Sequence, residues 1–305
     1  MTPVVSRPER QQVQPGHPDQ PDRLVQAAWY HDWQDERHAA AFDHYHHLDS
    51  RNLIRNFEGF NDVRLLNERL DRWRAVRLLE VGCATGELYR YLKVKFPRVH
   101  YTGIDISRAA IARAQAKYPE GAFFVGDPSV PLAESLRALG VETQPDVVYA
   151  KDVVHHQTQP LMFLSQLISA ASDMVIIRTR TRDVGTTELD PEQSCQYHYD
   201  GWMPYLVMNL QALIDSIVHS APGCEVVVYR HHMILGGHYR RFLPKELYVK
   251  ETGTAETAVG IFKQTSKPGW VTVKDRVDQN PNYTWAYRLR HALRQCRDAW
   301  YGRNP

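Results

Sequence analysis

Two glycines and one carboxylate have the types and spacing of residues that could hold a nucleoside. The run LLEVGCATG spans residues 78–86 and contains Gly82 and Gly86, and Asp105 follows 19 residues after Gly86. Glycines let the backbone approach a ligand closely, and a carboxylate can accept both hydroxyls of a ribose. The next helix can direct its free N–H groups at a negative group. The sequence therefore predicts a buried strand, a glycine turn, a helix and a second strand that ends at Asp105.

The spacing of the glycines separates two kinds of nucleoside site. A dinucleotide fingerprint needs G-x-G-x-x-G, whereas residues 80–86 read E-x-G-x-A-x-G. This pattern resembles motif I of the class I S-adenosylmethionine-dependent methyltransferases, with Ala84 where a glycine is frequent. The resemblance implies that S-adenosylmethionine is the cofactor, that the turn carries its methionine portion, and that Asp105 holds its ribose.

The resemblance continues over roughly residues 75–265. FFVGD at 123–127 resembles the third strand with its acidic residue beside the adenine, and PDVVYAKD at 145–152 resembles the fourth strand. VVHH at 153–156 is expected to begin the following helix, and MVIIR at 174–178 is the expected fifth strand. The cofactor-binding residues predicted in this way are Glu80, Gly82, Cys83, Ala84, Gly86, Asp105, Ile106, Asp127, Pro128, Lys151 and Asp152. Lys151 is expected to contact either the cofactor or the acceptor, and an ordinary ion pair in a solvated loop is the alternative for Lys151 and Asp152.

These landmarks predict an α/β fold: a Rossmann-like, doubly wound, seven-stranded sheet with an antiparallel last strand, an N-terminal helical cap and a C-terminal helix. EVVVY at 225–229 and AVGIF at 258–262 resemble the sixth and seventh strands, which the family pairs as a hairpin at the sheet edge. The expected divisions are a disordered tail (1–22), a helical cap (23–74), a methyltransferase domain (75–268, with an insertion at about 230–257) and a basic helical extension (269–305). Leu65, Leu66, Leu70 and Trp73 have the spacing of one helical face in the cap.

The composition limits the class of protein and the kinds of partner that we expect. The chain has 305 residues, 43% of them hydrophobic, and a formal net charge of +2. Nucleic-acid binders usually carry a concentrated basic surface, so we expect a small-molecule acceptor and no nucleic acid. The four cysteines form no C-x-x-C pair, and no apolar run approaches 18 residues, so neither disulfides nor a membrane span is predicted. A cytoplasmic location is the default expectation, and a homodimer is one option for assembly.

Histidine is the natural general base for an oxygen or nitrogen acceptor that carries a proton at neutral pH. Among the 15 histidines, His155 and His156 directly follow the fourth strand and His198 follows the fifth. His156 is the first candidate for the base, and His155 and His198 are the next. The alternative for the adjacent pair is a structural role in steadying the helix after the strand.

Aromatic and basic residues elsewhere are candidates for substrate contact. Tyr30 and Trp33 could close over the site, or could form a core-facing aromatic pair. Tyr199 and Trp202 could wall the acceptor pocket, or could belong to a packed turn. In the long insertion, Arg240 and Arg241, together with Arg230, could meet an anionic group, whereas an extended hairpin or an oligomer contact is the alternative.

Two further sequence patterns give weaker indications of function. His44 and His47 are spaced i, i+3, but no third ligand is evident, so no metal site is predicted. Residues 283–300 have the pattern of an amphipathic helix with a basic face.

The sequence thus favours a methyltransferase for an oxygen or nitrogen of a small molecule, in specialised-metabolite or sugar biosynthesis. The alternatives are an RNA or protein methyltransferase, or a methyltransferase-like protein with another reaction. KDVV at 151–154 stands where base-amino methyltransferases carry an Asn/Asp-Pro-Pro-Tyr/Phe element.

Overall fold

The computed structural model describes residues 33, 36–42, 47–71, 75–141, 144–191, 193–198, 201–232, 235, 241–244, 247 and 253–275. The helices in these ranges are α1 (Glu36–Ala41), α2 (Ser50–Glu58), α3 (Asn61–Leu70), α4 (Glu87–Lys95), α5 (Arg108–Lys117), α6 (Leu132–Ala138), α7 (Pro160–Ala170) and α8 (Leu210–Ser220). The strands are β1 (Val76–Val81), β2 (Val99–Asp105), β3 (Ala122–Val125), β4 (Val147–Lys151), β5 (Met174–Arg182), β6 (Cys195–His198), β7 (Gly201–Pro204), β8 (Met208–Asn209), β9 (Glu225–His232), β10 (Arg241–Phe242), β11 (Thr254–Phe262) and β12 (Val271–Asp275).

The main sheet confirms the predicted doubly wound architecture. Its strand order is β12-β9-β11-β5-β4-β1-β2-β3, with β8 added beside β5. Strands β1 to β5 are parallel, and β11 lies antiparallel between β5 and β9. The antiparallel seventh strand is thus confirmed. The sheet has nine strands rather than seven, because β8 and the edge strand β12 join it.

The strands form where apolar runs are long enough to be buried on both faces. The side chains of β4 are buried from Val147 to Ala150, and those of β5 from Met174 to Thr179. Parallel strands covered by helices on both sides have such nearly continuous apolar runs. Side chains of α2 to α5 pack on one face of the sheet, and those of α6 to α8 pack on the other.

The helices of the N-terminal part lie over the ligand edge of the sheet. Asp49 caps α2 by accepting the N–H of Asn52 at 2.8 Å. Leu65, Leu66 and Leu70 of α3 are buried together, as the predicted helical face requires. Trp73 lies outside the described residues. The two helices bring Phe57, Phe60 and Asp62 toward the ends of β4 and β5.

Two local predictions were wrong. Residues 153–156 do not begin a helix: a single 3₁₀ turn, Val154–His156, follows β4, and α7 starts only at Pro160. The reason is that Asp152 adopts a left-handed backbone conformation, with φ 58°, which turns the chain before a helix can start.

The segment after residue 269 also differs from the expected helical extension at its start. Val271–Asp275 form β12, which pairs in parallel with β9, because the outer edge of β9 offers backbone groups that need partners. Residues 276–305, including the predicted basic helix, lie outside the described residues.

The expected insertion is partly regular structure. Its ends lengthen β9 and β11, which pair from Glu225 with Phe262 to His232 with Ala255. Between them, β10 joins β6 and β7 in a separate three-stranded sheet. In the part of the chain that the structure describes, no helix is both long and apolar enough to cross a membrane.

Candidate functional site

A cavity of about 840 Å³ opens at the carboxyl ends of β1, β2 and β4. Strand β1 lies between β2 and β4, so the strand order reverses here, which is where ligands bind in open α/β sheets. All the predicted cofactor-binding residues except Gly86 line this cavity. The structure therefore brings together residues that are up to 72 positions apart in sequence, from Glu80 to Asp152.

The glycine turn after β1 needs its glycines for two reasons. Gly82 has φ 78°, and a Cβ at this position would collide with a methyl group of Val153. Gly86 has φ 84° and precedes α4, where a Cβ would lie 2.9 Å from the ring of Phe123. Gly86 therefore supports the turn by packing rather than by lining the cavity. Ala84 also adopts a left-handed conformation, with φ 46°, which is uncommon for a residue with a Cβ.

Asp105 holds this turn and offers oxygens to a ligand. Its Oδ2 accepts the N–H of Ala84 at 2.9 Å, and its Oδ1 accepts the N–H of Ser107 at 2.8 Å. Burial raises the pKa of Asp105, and the N–H groups of Ser107 and Ala84 oppose that rise. A carboxylate oxygen can accept more than one hydrogen bond. Asp105 can therefore meet two ribose hydroxyls without giving up the bonds that fix its orientation.

Asp127, which follows β3, also lines the cavity. Its Oδ1 accepts the hydroxyl of Ser129 at 2.6 Å and the N–H of Ser129 at 2.8 Å. These bonds lower the pKa of Asp127, which is exposed. The side chain is an oriented carboxylate at the end of β3.

Glu80 is a buried carboxyl group whose environment favours its protonated form. Burial raises its pKa to about 8, although the hydroxyl of Tyr101, which donates to it, and the charge of Lys151 lower it. Space for the Tyr101 hydroxyl exists because residue 103 is glycine: a Cβ there would lie 2.6 Å from that oxygen. Sequence reasoning missed Tyr101, whose signal is the pair Tyr101 and Gly103 on one face of β2.

We expect Glu80→Gln to stabilise the protein at high pH but not at low pH. Because the pKa in the folded protein, about 8, lies above the ordinary 4.5, the folded protein binds a proton that the unfolded chain releases between these values. Stability therefore falls as pH rises from about 4.5 to about 8.

The amide cannot ionise, so the variant should be more stable by about 5 kcal/mol at pH 9 and nearly equal at pH 4. Denaturant unfolding of both proteins at the two pH values measures this. An equal difference at both values would contradict the assignment.

A network of buried charges lies at the ends of β4, β5 and β11. Arg178 Nε donates to Asp152 Oδ1 at 3.0 Å, and a second guanidinium nitrogen contacts the other carboxylate oxygen. Arg180 Nη1 lies 2.9 Å from Asp152 Oδ1, and its Nη2 lies 3.3 Å from Glu256 Oε2.

The same network reaches the N-terminal helices. Arg178 Nη1 lies 3.6 Å from Glu256 and 3.9 Å from Asp62, whose carboxylate accepts the hydroxyl of Tyr149. Asp62 on α3 is fully buried. Sequence reasoning missed Asp62, Arg178, Arg180 and Glu256; the nearest signal is RTR at 178–180, which places two arginines on one face of β5.

The two candidate histidines after β4 differ in their surroundings. His156 Nδ1 lies 2.6 Å from the carbonyl oxygen of Pro204, and the ring packs edge-on against Trp33 at 5.2 Å between centroids. His155 is 1% exposed, and its Nδ1 has no hydrogen-bond partner among the described residues. Burial and the neighbouring His156 hold the pKa of His155 well below its usual range.

The predicted substrate residues differ in where they lie relative to the cavity. Trp33 lines the cavity, and Gln196, Met203 and Tyr205 join it from the hairpin of β6 and β7 and from the residue after it. His198 and Trp202 lie in that hairpin, and Arg241 lies in β10 beside Gln196. Tyr30, Tyr199 and Arg240 lie outside the described residues.

Arg230, which the sequence offered as one possible contact for an anionic group, is paired with carboxylates of the protein. Its Nε donates to Asp275 at 2.8 Å, and a second nitrogen contacts Asp183. The guanidinium thus ties β12 and the loop after β5 to β9. Of the histidine pair considered as metal ligands, His44 lies outside the described residues. Within the described ranges, no three His, Cys, Asp or Glu side chains are grouped so that they could hold a metal ion.

Comparison with known proteins gives a family for the central part of the chain. Residues 79–173 match the family model described as a methyltransferase domain. Malonyl-[acyl-carrier protein] O-methyltransferase of Bacillus cereus is 38% identical over 55 residues, which are 18% of this chain and 20% of that protein. Trans-aconitate 2-methyltransferase of Escherichia coli O1:K1 is 24% identical over 156 residues, 50% of this chain and 58% of that protein.

The chain therefore matches about a fifth of the length of one of these two curated relatives and less than two thirds of the other. Among solved structures, that of the plantazolicin methyltransferase BpumL in complex with SAH is 18% identical. The match covers 79% of this chain and 96% of that one, with a TM-score of 0.48.

Proposed function

We propose, from the premise that residues 79–173 belong to a class I S-adenosylmethionine-dependent methyltransferase domain, that this chain transfers a methyl group to an oxygen or nitrogen of a small-molecule acceptor. The family match over residues 79–173 supports the predicted enzyme class and its cofactor, S-adenosylmethionine. Trans-aconitate 2-methyltransferase, which the chain resembles in part, is named for a small-molecule acceptor. The biosynthetic role, the cytoplasmic location and the homodimer stay predictions.

The observation that carries the proposal is one continuous cavity with two chemically different ends. One end holds the oriented carboxylate of Asp105 beside the glycine turn, and the other holds Lys151, His155 and His156. Sites for small ligands are concave, mainly apolar and supplied with a few directed polar groups, with volumes of about 300–1,000 Å³. The cavity suits a nucleoside cofactor at the first end and a small acceptor at the second.

The residues of the first end would hold the cofactor. Asp105 would accept the ribose hydroxyls, Asp127 would lie beside the adenine, and the turn from Gly82 to Gly86 would carry the amino-acid portion. When bound, S-adenosylmethionine supplies a methyl group on a positively charged sulfur, which an aligned nucleophile can accept by in-line displacement. Alignment then accounts for most of the acceleration, since effective molarity can lower such a barrier by about 7–11 kcal/mol.

His156 is the better of the two histidines as the general base. A carbonyl oxygen can only accept, so the nitrogen of His156 that faces Pro204 carries the proton and Nε2 carries the lone pair. A backbone carbonyl that fixes the tautomer in this way prepares the ring to take a proton. His155 is more deeply buried, and its lowered pKa makes it a weaker base. Trp33 and Tyr205 pack against the pair and would exclude water from the acceptor.

The decisive experiment is calorimetric titration with S-adenosylhomocysteine. Asp105→Ala should weaken binding by about 1–3 kcal/mol, the cost of charge-assisted hydrogen bonds to the ribose. Asp215→Ala, which removes an exposed carboxylate from α8, is the control and should bind as the wild type does. Unchanged affinity in Asp105→Ala would remove Asp105 from the site, and binding of NAD in place of the adenosyl compound would overturn the proposed function.

A further inference from the structure

Lys151 differs from the arginines of the charge network because no carboxylate of the described residues lies within ion-pair distance of it. Each arginine of the network pairs with at least two carboxylates, taken from Asp62, Asp152 and Glu256. Within the described ranges, Lys151 takes part in no ion pair or hydrogen bond. Its ammonium group lies 4.2 Å from the ring centroid of Phe60 and 5.8 Å from that of Phe57.

The surroundings of Lys151 are costly for an unpaired cation. Burial and the charge of Arg178 lower its pKa, although the charges of Asp62, Asp152 and Glu256, which form no ion pair with it, oppose that shift. The carboxyl group of Glu80, on the neighbouring strand β1, is itself held protonated by burial at neutral pH. Aromatic faces give an ammonium only part of the stabilisation that a counter-ion gives. The exposed part of the half-buried side chain faces the cavity, which Lys151 lines.

We propose that Lys151 is the counter-ion for a carboxylate of a bound ligand. This inference rests on the proposed function and names the chemistry of one group that enters the cavity. A monoanionic carboxylate matches one ammonium, whereas a phosphate group would need further donors. The guanidinium groups of Arg178 and Arg180, which are the better donors for phosphate, are already paired within the protein. The carboxylate belongs either to the acceptor or to the amino-acid end of the cofactor.

The two sources can be separated without knowing the acceptor. Lys151→Met removes the charge at nearly constant volume, Lys151→Arg keeps it, and Lys93→Met removes an exposed lysine from α4 as the control. Calorimetry with S-adenosylhomocysteine, which has the carboxylate, and with 5′-methylthioadenosine, which lacks it, tests the cofactor. The acceptor end is tested by saturation-transfer NMR. The signals of benzoate and malonate are compared with those of benzamide and malonamide, with and without the nucleoside.

If the cofactor supplies the carboxylate, Lys151→Met should weaken S-adenosylhomocysteine by about tenfold or more and leave methylthioadenosine unchanged. If the acceptor supplies it, nucleoside affinities should stay constant, while the signals of the carboxylates, but not of the amides, should disappear. Lys151→Arg should retain the binding of whichever carboxylate ligand Lys151→Met loses.

The inference is overturned if Lys151→Met changes carboxylate and neutral ligands alike, or changes neither. Thermal unfolding of each variant separates a loss of folding from a loss of binding. A wild-type protein that binds neither adenosyl compound would refute the proposed function. In that case, loss of the benzoate and malonate signals in Lys151→Met without nucleoside would still support the role of Lys151, and unchanged signals would overturn it.

Discussion

His156→Gln is expected to lower kcat by about 10²–10⁴-fold, the usual contribution of a general base, with little change in the affinity for S-adenosylhomocysteine. The hydrogen bond from Nδ1 to Pro204 leaves Nε2 as the basic nitrogen. A base works only when it is unprotonated, so the wild-type rate should fall at acidic pH. The variant should lose that acidic limb of the pH–rate profile. Steady-state kinetics with an acceptor found for the wild type, over a pH range, measures both effects.

His155→Gln is the matched control, because it removes the same ring from the neighbouring position. We expect a smaller loss of kcat, since burial keeps His155 neutral and weakly basic. A large loss in His155→Gln with a small one in His156→Gln would reverse the assignment. Near-normal kcat in both variants, and in His198→Gln, would show that alignment alone carries the reaction. That result would also be expected for an acceptor whose reacting group is a carboxylate, which has no proton to remove.

Arg178→Met should destabilise the protein by about 3–5 kcal/mol, the usual cost of removing one partner of a buried ion pair. Arg178 is 7% exposed and is bound to Asp152 through two nitrogens. Without it, Asp152 loses its main counter-charge, although Arg180 remains close. The free energy of unfolding from denaturant titration measures the loss. Adding Asp152→Asn to the variant should recover part of it.

Arg77→Met provides the surface control for that experiment. Arg77 also binds a carboxylate through two nitrogens, that of Asp146, at 3.2 and 2.6 Å. Its side chain is 45% exposed, and exposed ion pairs contribute about 0–1 kcal/mol. Equal losses in the two variants would contradict the buried network as a source of stability.

The nucleoside end of the site could be predicted from sequence because its signals are local. Gly82 and Gly86 carry backbone conformations that few other residues adopt, and Asp105 ends a strand that pairs with the strand before the turn. These constraints act over a few residues, so spacing alone reveals them.

The charge network could not be predicted in this way. Asp62, Arg178 and Glu256 lie on a helix and two strands that meet only in the folded sheet, and each residue alone resembles an ordinary polar position. Strand β12 was missed for a related reason. Its side chains are mostly exposed, with Val271 at 43% and Val273 at 41%, so they have no buried pattern, and its pairing depends on the free edge of β9.

The position of β11 in the sheet determines when the neighbouring strands can pair during synthesis. Strand β9 pairs with β11 and β12, both of which lie later in the chain, and β11 also supplies the partner for the outer edge of β5. During synthesis, the edge of β9 that pairs with β11 and the outer edge of β5 therefore stay unpaired until residues 254–262 emerge from the ribosome. Unpaired strand edges are the sites at which incomplete chains associate wrongly. A nascent chain stalled before residue 254 should therefore recruit chaperones, whereas one that extends beyond residue 275 contains every strand that the structure describes in the sheet.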